Sequence, residues 1–126
     1  MINYYPNIFK TAIGGYFGNS YSVEWKEKQL CYEIVSQENK HKNAKDYFSP
    51  TSVQWRKFWD ELNKIGIYNW ESRYESTKGV CDGTSWELEI DYNGKTLKTS
   101  GSNAYPVQFE IFLKAIQGLI EGKDFQ

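Results

Sequence analysis

Residues 21–34 read YSVEWKEKQLCYEI. Tyr21, Val23 and Trp25 alternate with polar residues, and after Lys26-Glu27-Lys28-Gln29 the alternation resumes through Leu30, Tyr32 and Ile34. A strand turns successive side chains to opposite faces, so a hairpin closed within the polar tetrapeptide sets Trp25 against Leu30, Val23 against Tyr32 and Tyr21 against Ile34. Every apolar residue then meets an apolar residue. A one-residue slip would send the whole set to the wrong face, so this agreement predicts both the hairpin and its register.

A second hairpin follows from WELEIDYNGKTLKT at residues 86–99. Asn93-Gly94 is the residue pair favoured in a two-residue type I′ turn. That turn pairs Tyr92 with Lys95, Ile90 with Leu97 and Glu89 with Lys98. Two helices complete the pattern. In SPTSVQWRKFWDELNKIG, Trp55, Phe58, Trp59, Leu62 and Ile65 lie on one helical stripe. Ser49, Thr51 or Ser52 can cap its start, and Gly66 is placed to end it. In PVQFEIFLKAIQGLIEG, the stripe is Phe109, Phe112, Leu113, Ile116 and Ile120. Pro106 falls in its first turn and Asn103 is the expected cap. Gly118, inside this helix, costs about 1 kcal/mol relative to Ala, so something beyond helix formation must favour it.

IYNWESRYES alternates Tyr68, Trp70 and Tyr74, which predicts a strand over residues 67–75. NIFKTAIGGYF reads equally as a short strand or a turn of helix. VQWRKFWDEL at 53–62 matches VQFEIFLKAI at 107–116 with a constant offset. That match fits an internal duplication with halves at 15–66 and 67–122, and it equally fits two helices whose packing demands one pattern. Both give the same expected architecture. It is a single α+β domain over residues 1–126, in order ββα-βββα, with one antiparallel sheet of about five strands carrying two helices on one face.

The 126 residues are enough for one domain core. With 5 Trp, 10 Tyr and 7 Phe against a mean hydropathy of −0.69, that core must be largely aromatic. Tyr and Trp also dominate contact surfaces. A net charge of −1 argues against nucleic-acid or anionic-membrane binding. The basic run NKHKNAK at 39–45 reads as a solvated loop. No run of residues is apolar enough for a membrane span, and the N-terminus lacks a basic region followed by an apolar stretch, so the cytoplasm is the expected location. Cys31 and Cys81 fit no CxxC spacing and are expected as free thiols.

The usual catalytic equipment is missing. His41, the single histidine, stands in a lysine-rich segment without a neighbouring nucleophile, and no Walker loop, GxGxxG or HExxH occurs. No catalytic residue, cofactor or metal site is therefore expected. Glu87, Glu89 and Asp91 share a strand face, which reads as a solvated outer face partly neutralised by Lys98.

The richest polar loop is SGSNAYP at 100–106. It supplies more hydroxyl and amide groups than one cap requires. The candidate binding residues are Ser102, Asn103 and Tyr105 from this loop, with Asp82, Trp70 and Tyr74. The segments WESRY, DGTSW and GSNAYP together resemble small bacterial domains of no assigned activity, and no site residue is carried over from them. Three functions follow in order. The first is a non-enzymatic protein-interaction module (adaptor, inhibitor or immunity-like) that binds another protein or a second copy of itself. The second is a binder of a small ligand such as a sugar or nucleotide. The third is an enzyme using Asp82 with Glu87 or Glu71.

Overall fold

A computed structural model describes residues 3–15, 18–36, 40–76 and 83–126. Its strands are β1 (Ile8–Gly15), β2 (Asn19–Lys26), β3 (Gln29–Ser36), β4 (Ala44–Phe48), β5 (Arg73–Glu75), β6 (Thr84–Tyr92) and β7 (Lys95–Ser102). The helices are α1 (Ser52–Lys64), between β4 and β5, and α2 (Phe109–Leu119), after β7. The seven strands form one sheet in the order β4-β3-β2-β1-β6-β7-β5.

Both hairpins have the register the sequence dictates. Trp25 pairs with Leu30, Val23 with Tyr32 and Tyr21 with Ile34. Tyr92 pairs with Lys95, Ile90 with Leu97 and Glu89 with Lys98. Asn93 and Gly94 take φ of 53° and 77°, the left-handed pair that a type I′ turn requires. The first hairpin makes the same kind of turn with Glu27 and Lys28 at 50° and 65°, where neither residue is suited to it.

The sheet has seven strands rather than about five, and it is mixed rather than antiparallel. NIFKTAIGGYF supplies β1, which runs at the centre between β2 and β6. Its pattern is blurred because an inward position holds a hydroxyl. Thr11 is 1% exposed, and its Oγ1 donates to the carbonyl of Glu87 at 2.8 Å. The edge strand β4 escapes notice because only Phe48 along it is buried. The strand expected over 67–75 shrinks to Arg73–Glu75, which pairs parallel to β7. Ahead of it, Ile67–Asn69 makes a 3-10 turn entered through Gly66 at φ 65°. Its approach is held by Thr99 Oγ1, which donates to the carbonyl of Glu71, and by the Ser100 N–H, which donates to that of Ser72.

Both helices lie on one face of the sheet and pack on each other. Thr51 caps α1 through a reciprocal capping box with Gln54. Beneath α1, Phe9 meets Trp55, Phe58 and Trp59 edge-on at 5.4–6.4 Å. Beneath α2, Trp86, Phe109, Phe112 and Trp70 form a second aromatic group. The C-terminal segment seals the core. Phe125 is buried, and Tyr32 Oη donates to the carbonyl of Asp124 at 2.6 Å. No helix among the described residues is long and apolar enough to cross a membrane.

Candidate functional site

The loop after β7 is built around Trp86. The indole N–H of Trp86 donates to the carbonyl of Ala104 at 2.9 Å, which draws the loop over the ring. Gly101 must be glycine here, because a Cβ would overlap both Trp86 Nε1 and the Ala104 carbonyl. Asn103 sits at φ 54°, in the left-handed region. Its N–H donates to the Thr84 carbonyl, and its Oδ1 accepts from the Thr84 N–H, both at 2.9 Å. Asn103 therefore clasps the end of the β6–β7 ladder.

It does not cap α2, as the sequence had suggested. The residue at the helix N-cap is Gln108, without a side-chain cap bond. Pro106 precedes the helix, and its carbonyl accepts from the Phe109 N–H at 3.1 Å. Glu110 in the first turn complements the helix dipole and disfavours an anion there.

The other candidates are placed as follows. Trp70 meets Trp86 at 6.1 Å and Phe112 at 5.5 Å. Tyr74 lies 5.9 Å from Trp86, and its Oη accepts from the Glu71 N–H. Ser102 pairs with Ser85 and Glu75 across neighbouring strands. Asp82 lies outside the described residues, as does Cys81. Trp70, Tyr74 and Tyr105 thus flank one aromatic group, through Trp86 and Phe109, while Asn103 spends its carboxamide on the sheet. Of these, Tyr105 lines the groove at the entry to α2, and Trp70, Tyr74, Ser102 and Asn103 do not.

What the loop presents outward is apolar. Tyr105 packs on Phe109 at 5.0 Å and remains 44% exposed. Val107 is fully exposed and Ile111 is 45% exposed. With Pro106 and Leu113, and with Gln126 at its end, these residues line a groove of about 580 Å³. The sequence signal for this surface was available. Val107 stands in the turn before α2, and Ile111 lies on the helix to one side of its buried stripe of Phe109, Phe112, Ile116 and Leu119.

The outer sheet face carries a different concavity. Glu33, Ser22, Ala12, Glu87, Ser100 and Arg73 are successive cross-strand partners. They floor an open trough of about 790 Å³ with Ser20, Ser85 and Gly14. Arg73 donates to Ser100 Oγ and pairs with Glu75, each at 3.0 Å. Glu89 lies between Lys10 and Lys98 in the next row, so of the three strand-face carboxylates it is the one flanked by cations. Glu87 lines the trough and Glu71 does not. Among the described residues, no three His, Cys, Asp or Glu side chains gather to hold a metal. His41 is exposed in the 3-10 turn Lys40–Lys42. No protein-family model matches the chain, and no curated protein does.

Proposed function

We infer that this chain is a non-enzymatic protein-interaction module and that it binds through the entry to α2. The observation that carries the reading is the exposure of Tyr105, Val107 and Ile111 along one groove, on a base of buried aromatic rings. Rigid apolar and aromatic side chains over a packed foundation lose little entropy on binding, and tyrosine, as at Tyr105, is enriched among the hot spots of protein contacts. The mild negative charge suits a partner recognised by shape and apolar area rather than by phosphate.

The test is capture from an extract of the source cells by wild type and by a folded Tyr105→Ala/Val107→Ser/Ile111→Ser variant, followed by titration of the purified partner. At least tenfold weaker binding by the variant is expected, since each hot-spot truncation costs about 1–2 kcal/mol. Equal affinity would overturn the reading. The serine-lined outer trough favours a second reading, a small polar ligand such as a sugar or nucleotide. A thermal-shift screen tests it. A shift abolished by Glu87→Gln supports it, and no shift at millimolar ligand refutes it.

A further inference from the structure

The outward side of α2 carries its own stripe. Ile111, Lys114 and Gly118 follow the spacing i, i+3, i+7, which keeps them on one line of the helix for about 10 Å. All three are exposed, and so is Val107. Val107, in the turn leading into the helix, projects at one end. Gly118 leaves a notch at the other, and a Cβ there would meet nothing within 4 Å. Among the described residues nothing calls for glycine at this position, although glycine weakens a helix. A backbone approaching from outside would call for it. Glu110 and Lys114 lie on either side of Ile111 along the helix and form no ion pair among the described residues.

We propose that the occupant of this face is a second copy of the chain, with the two α2 helices packed antiparallel about a two-fold axis near the level of Phe112. This rests on the reading of the α2 entry as the contact surface and names its partner. The axis matches each feature to its complement. Residue 118 comes opposite 106–107, so the Gly118 notch receives the projecting Pro106-Val107 entry of the other copy. Residue 114 comes opposite 110, so each Lys114 meets the other copy's Glu110. The two Ile111 side chains meet near the centre. Three helical turns with the flanking groove make a small contact, so a weak, concentration-dependent dimer is expected.

Sedimentation velocity on the full chain from about 1 μM to about 500 μM tests this. Wild type is expected to pass from monomer to dimer within that range. Gly118→Leu, which favours the helix but fills the notch, is expected to weaken dimerisation at least tenfold without lowering the melting temperature. Glu110→Lys and Lys114→Glu are each expected to weaken it about fivefold, and the double exchange to restore it, because opposite charges again face each other. A wild type that stays monomeric throughout overturns the proposal. So does a dimer indifferent to Gly118→Leu and to the charge exchanges. If wild type is monomeric and the Tyr105/Val107/Ile111 variant still loses a different protein, only self-pairing falls. If that variant loses nothing either, both readings fall.

Discussion

Replacing Asn103 separates the two roles this residue could play. Its Oδ1 accepts from the part-buried Thr84 N–H, and its backbone holds φ 54°. Asn103→Ala removes the acceptor and strands a donor, which costs about 1–2 kcal/mol, and sets a Cβ residue without Asn's local hydrogen bond in the left-handed region, which costs about 1 kcal/mol more. The total is about 2–3 kcal/mol. Asn103→Gly relieves the backbone but not the orphaned donor and should cost about 1 kcal/mol. Asn103→Asp keeps both the acceptor and the tolerance for positive φ, and should stay within about 0.5 kcal/mol of wild type. Urea denaturation gives the ranking. Amide hydrogen exchange gives the location, with faster exchange expected at Thr84 and its β6–β7 neighbours. If Asn103→Ala costs under about 0.5 kcal/mol, or if protection is lost first at Phe109–Phe112, the residue is not a sheet clasp and the account of this loop is wrong.

Three further outcomes follow from the same geometry. Glu27→Asn/Lys28→Gly should raise stability by about 1 kcal/mol in a urea titration, because it places residues suited to positive φ where two unsuited ones now stand. Gly118→Ala should also stabilise by about 1 kcal/mol, since the added methyl meets open space, and a loss of stability would show a hidden contact. Burial, reinforced by Tyr21, Asp124 and Asp46, pushes the Tyr32 phenol up from 10.0 to about 12. The folded chain therefore holds this proton more tightly than the unfolded chain. The stabilisation is complete below pH 10 and is lost as pH rises from 10 to 12, by about 2 kcal/mol. Tyr68 and Tyr92 are raised as well, chiefly by burial, and act in the same direction. Denaturation midpoints that stay level across that alkaline window would refute the assignment.

The parts of the fold legible from sequence were those where two independent signals had to agree. In both hairpins the apolar alternation and the turn position fix one register, and each is observed. The helix α1 was legible through its stripe, its Thr51 cap and Gly66. Strand β1 was ambiguous because Thr11 hides an inward position behind a hydroxyl that finds its acceptor only when β6 lies alongside. The strand β5 was drawn too long because Tyr68 and Trp70 reach the core from a 3-10 turn and imitate alternation. The candidate site was legible in part. The 100–106 loop stands out for its polar residues, yet Asn103 serves the sheet, and the outward surface belongs to Tyr105, Val107 and Ile111. A polar loop looks like a site until its hydrogen bonds are traced, and here most lead back into the chain.

A photo-crosslinking amino acid at Val107, with a second chain carrying it at Thr96 on the outer sheet face, tests the central claim most directly. If the outward face of α2 is the contact surface, irradiation in the source cells yields a protein adduct from position 107 and little from position 96. The mass of that adduct states whether the partner is a second copy or another protein. Adducts from position 96 with none from position 107 would contradict the account and move the contact surface to the open face of the sheet.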